Sequence, residues 1–595
     1  MRSLFISITI GVALVALALA EDWLQWGQNA QHTGRALVIG QNPSHILADL
    51  VYDPFVPQEQ AEEFGDLLAH YQAPLVQDQD VFMEFKSGKY VSCDPVGTYE
   101  PYPCGPDNWN NQIWSEKRLH WQNGSLVTKW EFASDWKPEP DASGELGDWE
   151  PVFHAAVTGD QHVYVPGLGG TVWKLSQGAG QVVAHINPFG NTVDPNTFVA
   201  GPLTADSQGN IYYNALKLNI TNSQDTNDPW SYGPNFDGQN VADIPGAWLV
   251  KIGADGKTQI VSYKALIPGA PSTCETTFGY DGAALPWPPS PNAHVQSTVP
   301  CLSQRPGVNV APAVAPDGTI YSVTVAHNPF ASRFSYIVAF NPNLTLKWSA
   351  SLRGLLHDGC GVLLPPNGTV GGCRTGSTIG VDPATNEPPA GRVFDQSTSS
   401  PTVTPDGGVL YGAFTGYNYS RGHLYRFSAA GQFMSAYDFG WDTTPAIYEH
   451  NGTFSVVLKD NHYGGSTYCG NPTFCGNAPP GPFHITQLNP SLTPEWKFQN
   501  TNTQSCKRNP DGTLSCVSDH PNGFEWCINA PAIDLLGNVY ANSEDGNLYV
   551  IRQGGTSVAN IFMNLAIGAA YTPLSLGPDG KIYTQNDGHL FVIGN

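Results

Sequence analysis

Ala313 to Tyr321 reads AVAPDGTIY, and the same phrase returns as TVTPDGGVLY at Thr402 to Tyr411, IDLLGNVY at Ile533 to Tyr540 and LSLGPDGKIY at Leu574 to Tyr583. Each copy is a short apolar strand, a turn built on Asp-Gly or a near equivalent, and a second strand carrying Ile/Val-Tyr. The turn residues supply the positive φ that a tight hairpin needs, and the β-branched and aromatic residues beyond suit a half-buried strand. Looser copies occupy Ala155 to Tyr164, Leu203 to Tyr212, Val362 to Val370 and Ala446 to Val456, which brings the count to eight.

A third strand follows each pair, as at Tyr336 to Phe340 or His423 to Phe427, and a fourth usually comes next, as in LTLKWS from Leu344 to Ser349. Four antiparallel strands repeated about an axis describe the blades of a propeller. The expected fold is therefore all-β, an eight-bladed β-propeller of four-stranded antiparallel blades, the last closed by an N-terminal strand. The final copy stops after its third strand, and Ser125 to Phe132 (SLVTKWEF) matches the missing fourth. Closure by that segment would remove an open sheet edge. The alternative places Ser125 to Phe132 in a ninth, degenerate blade with Val81 to Val91. In the first reading, residues 21–134 form an N-terminal segment with an insertion over about 35 to 110, and 135–595 form the propeller. Trimming 35 to 110 should then be mild.

Composition narrows the function. A net charge of -24 with only 27 basic residues argues against the basic surface that nucleic-acid phosphates demand, so no nucleic-acid partner is expected. Residues 1 to 20 carry a basic start, an apolar run and Ala18-Leu19-Ala20, which reads as a secretory signal peptide. No second apolar run of spanning length follows, so a secreted, extracellular protein without a membrane span is expected. Sequons at Asn123, Asn219, Asn343, Asn367, Asn418 and Asn451 then suggest glycan acceptors. Eleven cysteines lie in the remaining chain. Neighbours along the sequence suggest the pairs 93 with 104, 274 with 301, 360 with 373, 469 with 475 and 506 with 516, with connectivity open and Cys527 or another thiol left over.

The opening DWLQWGQNAQHTG (Asp22 to Gly34), followed by Thr128-Lys129-Trp130-Glu131-Phe132, resembles the start of pyrroloquinoline-quinone-like propeller proteins. Trp130, Trp348 and Trp496 resemble that family's docking tryptophans. The resemblance implies the propeller fold and, for the alcohol dehydrogenases of the family, a quinone in the central channel stacked on a tryptophan beside a vicinal disulfide. It further implies a calcium ion on carboxylate and amide oxygens and an Asp as general base. This chain has no Cys-Cys pair and no heme-attachment motif. Non-catalytic relatives, such as the outer-membrane assembly propeller of bacteria, bind protein or peptide partners.

Residues just before the first strand of each blade converge at one mouth of the channel, where a ligand meets every blade. That position holds Glu150 and His154, Asn309, His357 and Asp358, Gln396, Trp441 and Asp442, and Trp526 and Asn529. Glu150, Asp358, Asp442 and Asn529 are hard oxygen donors suited to calcium. Trp441 or Trp526 could stack on a planar cofactor or sugar ring, with His154 and Asn309 beside it. Asp358 or Asp442, then His357, are the candidate bases for alcohol oxidation. The bland reading is that such Asp and Asn residues cap their own turns. Two functions follow: a propeller that binds a glycan, peptide or small molecule at the channel mouth, or a pyrroloquinoline-quinone and calcium-dependent oxidoreductase of alcohols or sugars.

Overall fold

The computed structural model describes residues 21–62, 65–91, 109–139, 150–218, 242–275, 298–328, 331, 333–359, 361–364, 369–370, 378–382, 387–395, 399–415, 422–440, 442–462, 480–556, 558–568 and 573–595. Local chemistry builds the repeat as expected. The carboxylates of Asp317, Asp534 and Asp579 accept the backbone N–H two residues on, at 2.9, 2.9 and 3.1 Å. The tyrosine of the repeat can close the same turn, since Tyr212 and Tyr540 donate to Asp206 and Asp534 at 3.0 and 3.2 Å.

Eight antiparallel sheets form the ring: blade 1 (residues 75–133), blade 2 (156–186), blade 3 (197–262), blade 4 (304–351), blade 5 (402–439), blade 6 (446–499), blade 7 (532–562) and blade 8 (575–594 with 45–51). Blades 3 and 4 have an innermost strand broken in two, at Thr197–Val199 with Thr204–Ala205 and at Gln304–Pro306 with Ala313–Val314. Because the strands alternate in direction, the turns after strands one and three of every blade open on one face. The connections after strands two and four open on the other. All the long connections leave and re-enter the ring on this second face, among them 89–111, 218–245, 263–303, 352–401, 461–483 and 500–531.

An N-terminal strand does close the last blade, but it is His45–Val51, not Ser125 to Phe132. It pairs antiparallel with His589–Gly594, from His45 opposite Gly594 to Val51 opposite His589. Ser125–Ala133 is instead the outer strand of blade 1, joined to Gln112–Gln122 by an Asn123-Gly124 turn whose φ values are +53° and +80°. The blade made with Asp80–Gly88 is thus the first of eight rather than a ninth. Val362 to Val370 contributes no blade: Leu363–Leu364 and Thr369–Val370 form a two-residue ladder inside the connection between blades 4 and 5. The insertion over 35 to 110 therefore contains the closing strand and the first two strands of blade 1. Of the expected disulfides, Cys274–Cys301 and Cys506–Cys516 are formed and Cys527 is free and buried. The other expected pairs lie outside the described residues.

The docking tryptophans seal seams between blades. The Trp130 indole N–H donates to the Gln177 carbonyl at 2.8 Å and its ring lies on Gly180 of blade 2. Trp348 repeats the contact on Ala429 and Gly431 of blade 5, and Trp496 lies on Gly555 of blade 7. Gly180 has a φ of +65°, and a Cβ there would meet the Trp130 ring at 2.6 Å. Gly180→Ala combines left-handed strain with overpacking, each of order 1–3 kcal/mol. We expect a loss of about 2–4 kcal/mol in urea unfolding, with Gly178→Ala, which meets nothing, as the silent control.

Candidate functional site

The innermost strand of a blade has an unpaired edge facing the axis, and those N–H groups need acceptors. The segment from Trp23 supplies them blade by blade. Carbonyls of Trp23, Leu24, Ala30, Gln31, Thr33 and Gly34 accept the N–H of Val76, Val157, Val314, Val403, Ile447 and Ile533 in blades 1, 2, 4, 5, 6 and 7. Blade 3 is served by a side chain: Gln25 accepts from the Ala205 N–H at 2.7 Å and donates to its carbonyl at 2.9 Å. The Gln41 N–H then reaches Gly580 of blade 8 at 2.7 Å before the chain enters the closing strand. His32 is buried within this plug, its Nδ1 2.8 Å from the Pro401 carbonyl, and burial lowers its pKa to about 4. The channel is thus filled by the DWLQWGQNAQHTG motif at the end near the short turns.

At the other end the residues before the innermost strands make a buried polar network. Lys459 donates to Asp442 Oδ1 at 2.8 Å, and Asn529 Nδ2 donates to Asp442 Oδ2 at 3.0 Å. The Tyr71 hydroxyl lies 3.4 Å from that same oxygen, and the Thr444 N–H donates to Asn529 Oδ1. Tyr71 belongs to a strap whose Leu67, Ala69 and Tyr71 pack with Val152, Cys527 and Ala566. Asp442 and Asn529 are 0% exposed, so both ends of the channel are occupied by the chain itself.

Glu150 enters a second cluster, with Lys86 of blade 1 and Asp53, Glu59 and His70 of the segment that follows the closing strand. Lys86, on the second strand of blade 1, donates to Asp53 Oδ2 at 2.7 Å and to Glu150 Oε1, and lies 3.5 Å from Glu59. His70 Nε2 is 3.2 Å from Asp53 and 3.1 Å from Glu150. Ligand atoms of Asp53, Glu59, His70 and Glu150 lie within 4.8 Å of one another, which is a metal-like spacing. The Lys86 ammonium already provides a cation among them, over the Trp114 ring at 4.8 Å. Burial opposes protonated His70, but Glu150 and Asp53 outweigh it and raise its pKa to about 9. Burial pushes Glu59 up to about 8, Lys86 only partly opposing, and burial alone takes Glu116 to about 8.

These shifts set a pH optimum. His70 stays protonated in the fold up to about pH 9 but only to about 6.5 unfolded, so its ion pairs contribute fully below 6.5 and are lost as pH rises toward 9. Glu59 and Glu116 act with the same sign, because between about 4.5 and 8 the unfolded chain has released protons that the fold retains. Burial lowers His32 and His154 to about 4 and His327 to about 3, so these histidines destabilise the fold as pH drops below 6.5. We expect the Tm at pH 6 to exceed that at pH 9 by at least several degrees. A Tm flat or rising over that interval would contradict this assignment.

Of the mouth residues read from sequence, the structure brings Asp442 and Asn529 into contact. Asp358 is elsewhere, 2.6 Å from His423 on the third strand of blade 5, with His357 exposed beside it. Neither Asp358 nor Asp442 belongs to a set of three or more His, Cys, Asp and Glu ligand atoms within 4.8 Å among the described residues. Trp526 is fully buried, donates to the Phe483 carbonyl at 3.2 Å, and packs on Phe498 and Tyr549 at 6.0 and 5.0 Å. Its ring is packed between residues of blades 6 and 7. His154 Nδ1 lies 2.8 Å from the Ala155 carbonyl, and the Asn309 N–H donates to Ala200 at 2.9 Å. Trp441 and Gln396 lie outside the described residues.

Sequence reasoning missed Lys86, His70, Tyr71 and Lys459. A signal for Lys86 was available: Glu84 and Lys86 fall on one alternating face of the apolar run VFMEFK, where a charge must find partners. A second group joins the buried Cys527 to the partly exposed Glu525 and Glu544. The Cys527 thiol donates to Glu544 at 3.1 Å, and burial pushes its pKa well up, so it remains the protonated thiol.

No protein-family profile matches the chain, and no curated protein matches it. Among solved structures it is similar to a europium-containing methanol dehydrogenase, at 10% identity over 95% of this chain and 89% of that one, with a TM-score of 0.47. It is similar to the quinohemoprotein alcohol dehydrogenase of Comamonas testosteroni at 12% identity, over 97% and 81% of the two chains, with a TM-score of 0.48. BamB of Moraxella catarrhalis matches at 11% identity over 80% and 94%, with a TM-score of 0.33. The described residues do not fit a quinone and calcium held as one group: Asp442 is engaged by Lys459 and Asn529, Glu150 by Lys86 and His70, Asp358 by His423, and Trp526 by the Phe483 carbonyl, Phe498 and Tyr549.

Proposed function

We propose that this chain is a secreted binding propeller that takes a peptide, glycan or protein partner on the face bearing its long connections, around the channel mouth. The reading is carried by one observation. The axis is filled with the chain's own hydrogen-bonded segments, while the strand ends that bear the long connections all lie on a single face. From that face projects a hairpin of Gln504–Arg508 and Leu514–Ser518, stapled by Cys506–Cys516. Its Leu514 and Val517 are 43% and 64% exposed, an apolar surface on a rigid element.

Among the described residues no helix is long and apolar enough to cross a membrane. The secreted chain, probed against peptide and glycan arrays, should bind at least one class. Replacing Leu514 and Val517 with Asp should weaken that binding roughly tenfold or more, as loss of a central contact does. The competing activity is tested in parallel by a dye-linked assay of protein loaded with quinone and calcium. Alcohol or sugar oxidation that vanishes in Asp442→Asn would replace the binding reading with the oxidoreductase one.

A further inference from the structure

The three described sequons share one feature that their sequence positions hide. Asn123 and Asn343 sit in turns after third strands, of blades 1 and 4, and Asn451 sits in the turn after the first strand of blade 6. All three are exposed and open on the face opposite the long connections. They differ in surroundings. The Asn343 side chain accepts from the N–H and hydroxyl of its own sequon Thr345, at 3.2 and 2.7 Å. Asn451 instead lies on the rim of a groove of about 660 Å³ between the turns of blades 5 and 6.

The groove has an apolar floor of Phe454 flanked by Pro405 and Pro490, and polar edges at Asp406, Glu449 and His450. A sugar presents this same pairing, C–H faces with hydroxyls around the ring. The acids are held in place, Asp406 by Arg426 and Glu449 by Arg35 at 2.8 Å. Asn451 and Gly452 have φ values of +49° and +75°, the two left-handed positions of an Asn-Gly hairpin turn, so the attachment point is fixed against the groove.

We propose that Asn451 carries an N-linked glycan whose first sugars lie in this groove, covering the seam between blades 5 and 6. The proposal is independent of the partner assigned above. The full chain should be produced in a eukaryotic secretory host and its sites mapped by mass spectrometry after enzymatic release in heavy-oxygen water. Asn451 should be occupied. In the native protein its glycan should be released roughly tenfold more slowly than that of Asn123, because it must first lift from the groove, and the difference should vanish on denaturation. Asn451→Gln should be secreted and lack one glycan's mass. An unoccupied Asn451 in secreted protein, or native release at the Asn123 rate, overturns the proposal.

Discussion

A chain beginning at Val56, without the axial segment and the closing strand, should fail to form a stable propeller. The backbone N–H groups of Val76, Val157, Val314, Val403, Ile447 and Ile533 would lose their acceptors along the axis, and blade 8 would lose its outer strand. A buried donor left unsatisfied costs about 1–3 kcal/mol, so even partial rescue by water leaves a deficit comparable with the roughly 5–15 kcal/mol that stabilises a typical domain. We expect secreted yield to collapse and any recovered protein to lack a cooperative thermal transition. Removing residues 35 to 110 should be as damaging, since that span holds His45–Val51 and two strands of blade 1. A truncated chain melting within a few degrees of the intact one would refute this account of ring closure.

Lys86→Met should produce the next largest loss. The substitution keeps most of the volume but leaves Asp53 and Glu150 facing each other with only His70 between them. Breaking a buried ion pair by removing one partner costs about 3–5 kcal/mol because the remaining charge cannot be solvated. Asp53→Asn combined with Lys86→Met should recover part of the loss, which separates a charge effect from a packing effect. Equilibrium urea unfolding at pH 7 reads both. If the double variant is no more stable than Lys86→Met, Asp53 is not the charge that Lys86 balances.

The parts of the fold legible in the sequence were those made by local chemistry. Asp317-Gly318 and Asp579-Gly580 announce hairpins because both the φ sign and the side-chain hydrogen bond are decided within four residues. The same logic overreached at the Val362 to Val370 copy, where Leu363–Leu364 and Thr369–Val370 form only a two-residue ladder. Blade 1 was obscured because its first hairpin turns through Asp78 without a glycine and its second and third strands are separated by 89–111. His45–Val51 gave no signal at all: it is half-exposed, has no hairpin beside it and pairs with the opposite end of the chain.

For the candidate site, placing residues before the innermost strands brought Asp442 and Asn529 together, while Glu150 falls in the separate Lys86 cluster. Their neighbours could not be read that way. Lys86 comes from blade 1, Tyr71 from the strap and Lys459 from a second strand, each brought in by tertiary folding. Asp358 was misplaced because it rests on the Val362 to Val370 copy that forms no blade. Burial and ion pairing, which residue type does not disclose, decide the surroundings of Glu150, Asp442 and Asn529.

The axial segment also counts. Trp23, Leu24, Gln25, Ala30, Gln31, Thr33, Gly34 and Gln41 meet blades 1 to 8 in the order in which they occur. A ribosome therefore delivers the spindle first and the blades afterwards, each finding its own rung beside the one just filled. Duplication of a blade, the usual way repeat proteins grow, would leave every later rung serving the wrong neighbour. In this chain the ring size is written twice, once in the repeats and once in about twenty residues ahead of them.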